Sequence, residues 1–336
     1  MIVRHRDKEG RVTGMNYLFA PMEGITGYVY RNAHHRHFCQ IHQYYTPFLV
    51  PNQNRRLTTR ERQDICPEHN AGVPVVPQIM SCKADEFLWA AQKAWSLGYR
   101  EVNLNLGCPS ATVVTRKRGA GFLAFPEELD AFLNQVCTGL DRLGMELSVK
   151  TRIGKERREE FVRLLEIYNR YPLRCLVIHP RLQTDFYRNT PDLETFALAV
   201  GESQNPVCYN GDLFSVEDIR RFRERFPSVE QGMLGRGLLA NPALAEERAP
   251  DKDRIQAFHR DLLVGYRQAI PGDRNVLFKM KEVWAYLGSA FTNFEKYGKK
   301  IKKSQKLTDY EQVVERLLEE QEIKEKPVFG GYGKTV

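Results

Sequence analysis

The sequence lacks any long apolar run. No stretch of its 336 residues approaches the roughly 20 consecutive apolar residues that cross a bilayer. Residues 1–12 alternate charged and apolar side chains, unlike a secretory signal. We therefore expect a cytoplasmic protein with no membrane partner.

Cysteine is sparse, and metal-ligand spacing is missing. The chain has seven cysteines, an odd number scattered over its length, which is untypical of a disulfide framework. Neither the His-rich segment at residues 34–42 nor Cys66-Pro67-Glu68-His69 has the paired spacing of a zinc site. We predict reduced thiols, no metal, and surface positions for His34, His35, His37, Cys39 and His42.

What the chain does contain is a βα rhythm. Short runs rich in Val, Ile, Leu, Tyr and Phe recur at intervals that fit a strand, a loop and a helix. Eight strands with intervening helices predict an α/β fold, a (β/α)₈ barrel with its active site at the carboxyl ends of the strands. The predicted strands are Tyr17–Pro21, Ile41–Tyr45, Val73–Ile79, Glu101–Asn105, Glu146–Thr151, Cys175–His179, Val207–Asn210 and Gly232–Leu234.

A different pattern follows the last strand. Helices without strands are predicted at Lys252–Ala269, Asn275–Leu287, Phe291–Ser304 and Thr308–Lys324. We predict the barrel at residues 1–245, a small all-helical domain at 250–326 and a disordered tail at 327–336. Residues 251–306 carry 13 Lys and Arg against 6 Asp and Glu, a net charge of +7. Such a segment favours a polyanionic partner, although a solvated Lys-rich helix has the same composition.

Polar and glycine-containing motifs stand where the predicted strands end, as the active site of a barrel requires. They are Pro21-Met22-Glu23-Gly24, Gln78, Asn105-Leu106-Gly107-Cys108-Pro109, Lys150-Thr151-Arg152, His179, Asn210-Gly211-Asp212 and Gly235-Arg236-Gly237. Cys108 lies between a glycine and a proline, where a thiol is fixed, exposed and able to donate a proton. Lys150 would carry its charge into a largely apolar barrel mouth, which is costly unless it meets an anion or a strong acceptor. The loops after the last two strands offer backbone N–H groups to a phosphate.

These motifs resemble the tRNA-dihydrouridine synthase family. The resemblance covers most of the first 245 residues and includes Gly119-Ala120-Gly121, Val149-Lys150-x-Arg152-x-Gly154 and Ile178-His179-x-Arg181 as well as the strand-end motifs. It implies an FMN-binding barrel followed by a helical RNA-contacting domain. The implied activity is the reduction of specific tRNA uridines to 5,6-dihydrouridine, with NADPH as the source of electrons.

The resemblance also implies a role for each motif. The hydride passes from reduced FMN to C6 of uridine, and Cys108 protonates C5 from the opposite face. Lys150 and Gln78 contact the pyrimidine edge of the flavin, and Gly235 and Arg236 its phosphate. Cofactor contacts are implied for Pro21, Met22, Glu23, Gln78, Lys150, His179, Asn210, Gly211, Asp212, Gly235 and Arg236, and substrate contacts for Asn105 and Arg152.

A lysine-rich stripe marks the third predicted helix of the helical domain. Lys296, Lys299, Lys300 and Lys303 follow the spacing i, i+3, i+4, i+7 and would line one helix face. With Lys302 they predict a tRNA-binding surface, while Phe294 and Ile301 pack inward.

Two other functions stay open on the sequence alone. A flavoenzyme that reduces a free pyrimidine or enone could use the same barrel, but it would not need the basic domain. A non-catalytic RNA-binding flavoprotein could keep the barrel as a scaffold, but Cys108 and Lys150 argue against it. We expect a monomer without a stable protein partner.

Overall fold

The computed structural model describes residues 14–38, 40–51 and 53–329. The predictions for residues 1–12, Cys39 and residues 330–336 lie outside this range. No helix within it is long and apolar enough to span a membrane.

Nine strands form one sheet in the order β3-β2-β1-β9-β8-β7-β6-β5-β4. The strands are β1 (Asn16–Phe19), β2 (Ile41–Tyr45), β3 (Val75–Val76), β4 (Gln78–Ile79), β5 (Glu101–Leu106), β6 (Glu146–Arg152), β7 (Cys175–His179), β8 (Val207–Tyr209) and β9 (Gln231–Leu234). Strand β2 pairs with β3 in parallel, and so does each neighbouring pair from β4 to β9. The predicted strand at Val73–Ile79 is divided into β3 and β4.

Pro77 causes that division. Proline has no N–H to donate to the ladder, so the strand is interrupted at this residue. The two edge strands of the sheet, β3 and β4, are therefore halves of one extended segment, and the sheet closes on itself. This closure, with helices between the strands, confirms the predicted (β/α)₈ barrel.

Thirteen α-helices lie within the described residues. They are α1 (Tyr28–His37), α2 (Thr59–Asp64), α3 (Ala84–Ser96), α4 (Ala111–Val114), α5 (Pro126–Asp141), α6 (Glu160–Tyr168), α7 (Leu193–Glu202), α8 (Val216–Arg225), α9 (Arg236–Ala240), α10 (Lys252–Ala269), α11 (Asp273–Leu287), α12 (Phe294–Lys303) and α13 (Leu307–Glu320). Helix α10 begins where predicted because Asp251 caps it, its side chain accepting the N–H of Arg254 at 2.8 Å.

The prediction for the last helix was wrong in its final turn. Helix α13 ends at Glu320 instead of continuing to Lys324. The following residues are extended, because Ile323 forms an antiparallel bridge with Phe291 and the N–H of Thr292 donates to the carbonyl of Glu322 at 2.9 Å. Tertiary pairing therefore overrides a local helical pattern.

The chain divides into two compact units. The first unit comprises the described residues of 1–21, 42–212 and 226–233, and the second those of 22–41, 213–225 and 234–336. Leu18, Tyr45, Val177, Cys208 and Met233 belong to the buried core of the first unit. The second unit combines α1 and α8 with all the helices after β9, so it contains segments that are far apart in the sequence. The predicted domain boundary near residue 250 remains a prediction.

One residue of the His-rich segment was placed wrongly. His34 lies in the core of the second unit and not on the surface, between the rings of Tyr30 and Phe258. Its Nε2 lies 3.1 Å from the carbonyl oxygen of Pro242. Burial lowers the pKa of His34 to about 3, so the ring is neutral at physiological pH. Its helix turns it inward, which the spacing of polar residues did not reveal.

Candidate active site

The loop that carries Cys108 follows β5 and is held through its backbone. The side-chain oxygen of Asn105 accepts the N–H groups of Gly107 and Cys108 at 3.1 and 3.0 Å. The carbonyl of Cys108 accepts the N–H of Ala120 at 3.0 Å. Because both backbone groups of Cys108 are bonded, its half-buried thiol has a defined position.

The Gly119-Ala120-Gly121 motif packs directly against this loop. Gly119 has a φ of +54°, and a Cβ there would lie 2.8 Å from the carbonyl oxygen of Cys108. A Cβ on Gly121 would lie 2.6 Å from the carbonyl oxygen of Val114. Only glycine permits both the left-handed backbone and the close approach at residue 119. The motif therefore supports the position of the thiol.

A chain of hydrogen-bonded polar side chains runs along the inner face of the barrel. Asn105 donates to Gln78 at 2.7 Å, Gln78 to Asn103 at 2.7 Å, Asn103 to Ser148 at 2.9 Å, and Ser148 to Glu101 at 2.7 Å. Burial raises the pKa of Glu101. The expected apolar interior is therefore polar on this side, and the orientation of the Gln78 amide is set by Asn103 and Asn105.

Lys150 is a half-buried amine near the end of β6. It stands opposite Asn105 on β5 and Val177 on β7. Burial, with a contribution from the positive charge of Arg152, lowers the pKa of Lys150 to about 8. No residue that the structure describes places an acceptor within hydrogen-bonding distance of its Nζ. A half-buried amine of this kind fits an electron-rich edge of a ligand.

The guanidinium of Arg152 is hydrogen-bonded to backbone carbonyl groups. Arg152 is only 1% exposed, and its guanidinium donates to the carbonyls of Gly107, Leu182 and Phe186 at 2.9, 2.7 and 2.7 Å. Burial lowers the pKa of Arg152 to about 10. The residue ties the Cys108 loop to the segment after β7. Its contact with substrate remains a prediction.

His179 and Asp212 are linked by Arg181. The guanidinium of Arg181 donates to both carboxylate oxygens of Asp212 and lies 3.1 Å from Nε2 of His179. Because arginine only donates, Nε2 of His179 must accept and carries no proton. Arg181 was not among the predicted functional residues, although its position in the Ile178-His179-x-Arg181 motif was a signal.

The end of β8 is tightly packed. The side chain of Asn210 donates to the carbonyl of Met233 at 2.7 Å, and its backbone N–H donates to the carbonyl of Ile178 at 2.9 Å. A Cβ on Gly211 would lie 2.0 Å from the hydroxyl of Tyr209, so a larger residue there would require the Tyr209 side chain to move. Pro21, which follows β1, is half-buried.

In the second unit, the predicted cofactor residues Met22 and Glu23 lie in a tight turn. The N–H of Met22 donates to the hydroxyl of Thr26 at 2.8 Å, and Gly24 adopts a φ of +79°. The ammonium of Lys279 donates to the carbonyl of Gly24 at 2.6 Å, while Glu23 is exposed. Lys279 on α11, which the sequence analysis did not single out, fixes this turn.

The predicted phosphate residues of the second unit stand at the start of α9. Gly235 accepts the N–H groups of Leu238 and Leu239 at 3.0 and 3.2 Å. Arg236 is half-buried, and its guanidinium carbon lies 5.1 Å from the ring centroid of Phe214.

The predicted lysines on α12 all lie at the surface. Tyr297 and Ile301 are buried, whereas Phe294 is half-buried and stacks on Trp284, with ring centroids 6.1 Å apart and an interplanar angle of 16°. The exposed lysines are Lys296, Lys299, Lys300, Lys302 and Lys303. The amphipathic pattern therefore oriented this helix correctly.

A cavity of about 590 Å³ lies beside α12 in the second unit. Lys296, Lys299 and Lys324 line it, with Glu295 also at its wall. The ammonium of Lys324 donates to the carbonyl of Ser289 at 2.9 Å. Lys324 was not among the predicted lysines, because the helical pattern placed it on α13 and not in the extended segment that follows.

The first unit brings Gln78, Asn105, Cys108 and Arg152 into one connected set of contacts, with Lys150 on the neighbouring strand. Among the residues that the structure covers, no group of three or more His, Cys, Asp and Glu side chains could hold a metal ion. These features define a (β/α)₈-barrel protein with a fixed thiol and a half-buried amine at the strand ends.

Comparison with known proteins identifies the family to which this barrel protein belongs. Residues 18–329 match the family model described as dihydrouridine synthase. A relative from Aquipseudomonas alcaligenes, named tRNA-dihydrouridine(16) synthase, is 29% identical over 70% of this chain and 75% of its own length. Another of that name, from Vibrio parahaemolyticus, is 24% identical over 94% of this chain and 100% of its own length.

A third relative is matched over a shorter part. The probable tRNA-dihydrouridine synthase 1 of Synechocystis is 28% identical over 68% of this chain, which spans 63% of that protein. The family model covers nearly all of the described residues. The chain therefore belongs to the dihydrouridine synthase family, a family of oxidoreductases, and the resemblance seen in the sequence is confirmed.

Proposed function

We propose that the chain is an FMN-dependent tRNA-dihydrouridine synthase that takes its electrons from NADPH. The observation that carries this proposal is the combination of a backbone-fixed thiol at Cys108 with the half-buried amine of Lys150 on the adjacent strand. Membership of the family supplies the class of reaction. The contacts in the barrel support the role of each residue.

The side chains at the strand ends fit FMN. Lys150 has no described acceptor for its Nζ, and the N1–C2=O edge of a flavin offers one. Gln78, oriented by Asn103 and Asn105, would bind the same pyrimidine edge. Gly235 and Arg236 would hold the phosphate, with the other cofactor contacts at Pro21, Met22, Glu23, His179, Asn210, Gly211 and Asp212. Reduced FMN, when bound, supplies the hydride for C6 of uridine and is regenerated with electrons from NADPH.

Cys108 would complete the reduction. The S–H bond of its thiol breaks as the proton passes to C5 of the uridine, and solvent returns a proton to the thiolate. Asn105 and Gly119 hold the loop from two sides, so the thiol needs little reorganisation to reach C5. Asn105 and Arg152 would also stand next to the substrate base.

The lysines of the second unit would bind the tRNA. Lys296, Lys299 and Lys324 converge on one cavity, where three cations can neutralise RNA phosphates. Lys300, Lys302 and Lys303 are exposed on the same helix but do not line the cavity. Because the Vibrio parahaemolyticus relative, matched over 94% of this chain, carries position 16 in its name, uridine 16 is the first position to inspect.

The test uses purified protein and unmodified tRNA. We expect yellow protein that releases FMN on denaturation and that forms dihydrouridine in tRNA when NADPH is added. Colourless protein that FMN does not reconstitute would contradict the cofactor. Equal rates on free uridine monophosphate and on tRNA would favour the small-molecule reductase, and tRNA binding without reduction would favour the non-catalytic protein.

A further inference from the structure

The guanidinium of Arg236 lies in a cleft formed by two aromatic rings that also contact each other. Its central carbon is 5.1 Å from the ring centroid of Phe214 and 5.6 Å from that of Phe329. The two rings are themselves 5.4 Å apart. Tyr286 on α11 stacks on Phe329 at 5.7 Å with an interplanar angle of 18°. Phe329 therefore connects α11 with the arginine at the start of α9.

The segment that brings Phe329 to this place is anchored upstream. Ile323 bridges Phe291, and the backbone N–H of Lys324 donates to the carbonyl of Ala290 at 2.9 Å. Pro327, two residues before Phe329, is buried. The chain after α13 is thus tied to the connection between α11 and α12 before it reaches Arg236.

The other side of the cleft is equally constrained. A Cβ on Gly237 would lie 2.2 Å from the carbonyl oxygen of Leu213 and 3.2 Å from Cα of Phe214. The N–H of Phe214 also donates to the carboxylate of Asp218 at 3.1 Å. Phe214 therefore moves little relative to α9, and Phe329 is the wall of the cleft that comes from a distant part of the chain.

We propose that Phe329 is a positioning residue for the cofactor phosphate, acting by holding the Arg236 guanidinium in this cleft. Aromatic rings contact the face of a guanidinium, whereas a phosphate binds its in-plane N–H groups, so the two interactions are compatible. Stacking removes rotamers of a long side chain before the phosphate arrives, which favours binding. The inference rests on the proposed FMN site. The affinity for the phosphate would then depend on Phe329, which lies 93 positions after Arg236 in the sequence.

The test compares FMN with riboflavin, which has the same isoalloxazine ring but no phosphate. Dissociation constants of the flavin-free full-length protein would be measured by fluorescence quenching. Phe329→Leu, which keeps an apolar contact for Tyr286, should weaken FMN binding roughly threefold to tenfold and leave riboflavin binding unchanged. Phe329→Tyr, which keeps the ring, should bind both flavins like the wild type, and so should the control Val328→Ala, since Val328 is exposed.

A double-variant cycle tests the route through Arg236. Arg236→Ala should also weaken FMN binding selectively, and adding Phe329→Leu to it should cause no further loss. The inference is overturned if Phe329→Leu weakens both flavins equally, if it changes neither, or if its effect adds to that of Arg236→Ala. Wild-type protein that binds no FMN would instead refute the proposed function itself. Thermal melting curves establish that each variant used in these binding measurements is folded.

Discussion

Polar side chains are buried in the Cys108 region of the first unit but exposed on the α12 surface of the second unit. Around Cys108 the side chains of Asn105, Gln78 and Arg152 are buried and bonded to one another or to backbone. On α12 five lysines are exposed, and no described carboxylate forms an ion pair with any of them. Buried hydrogen bonds fix atoms at short range, whereas exposed charges act over several ångströms and are screened by salt. Changes near Cys108 should therefore alter rate, and changes on α12 should alter affinity.

The largest effect is expected from Cys108→Ala. It removes the proposed proton donor, so dihydrouridine formation in single turnover should fall on the order of 10² to 10⁴ fold. FMN content and the reduction of the flavin by NADPH should be retained, because the cofactor contacts are untouched. The matched control is Cys137→Ala on α5, since burial raises the pKa of that thiol to about 11 and makes it a poor donor. Normal turnover in Cys108→Ala would assign the proton to another group.

A smaller loss of rate is expected from Gly119→Ala. The new Cβ would lie 2.8 Å from the carbonyl oxygen of Cys108 on a left-handed backbone, so the loop must shift. Displacement of a reacting group by about 1 Å can cost on the order of 10² fold in rate. FMN affinity should hardly change. Gly144→Ala is the control, because Gly144 also has a positive φ but no atom within 4 Å of its added Cβ. Similar rates in the two variants would show that the loop tolerates the shift.

Lys150 should make FMN affinity depend on pH. Its pKa in the folded protein is lowered from 10.5 to about 8, so the ammonium that donates to the flavin is lost as the pH rises through 8. Affinity should be constant below that pH and fall by up to about tenfold per pH unit above it. Titrations from pH 6.5 to 9.5 with Lys150→Met should give weaker binding without this dependence. A wild-type profile that stays flat to pH 9.5 would remove Lys150 from the flavin site.

The lowered pKa of Lys150 also makes the stability of the folded protein depend on pH. A lysine whose pKa is lower in the folded state binds fewer protons there than in the unfolded chain between pH 8 and 10.5. The unfavourable contribution of the buried charge is therefore fully present below pH 8 and is relieved as the pH rises towards 10.5. Lys150→Met should raise the melting temperature of the flavin-free protein at pH 7, and this gain should shrink at higher pH. An unchanged melting temperature would show that the site is well hydrated.

The smallest effect is expected on the α12 surface. Lys296→Ala, Lys299→Ala and Lys324→Ala together remove the lysines of the cavity and should weaken tRNA binding by about fivefold. The log–log salt slope should flatten by about one unit per lost phosphate contact. FMN content should not change. The control with equal charge loss combines Lys300→Ala, Lys302→Ala and Lys303→Ala. Equal losses in the two triple variants would show a diffuse field and no preferred site.

Much of the architecture follows from local pattern. The segments Ile41–Tyr45 and Cys175–His179 are strands with the predicted bounds. Cys175–His179 is buried throughout, which is typical of a parallel strand covered on both faces. Helix α10 also has its predicted bounds, since Asp251 caps it. The sequence could not show that α13 stops at Glu320 or that His34 is buried, because each depends on a contact with a distant segment.

The sequence by itself determined the barrel, the position of Cys108 past β5 and the lysine face of α12, since strand ends and helix periodicity are properties of neighbouring residues. Only the tertiary structure decided which polar groups already have partners. It joins Arg152 to the carbonyl of Phe186, Arg181 to Asp212, and Phe329 to Arg236. Such pairs lie about 30 to 90 residues apart, and the chain must fold before their atoms can approach.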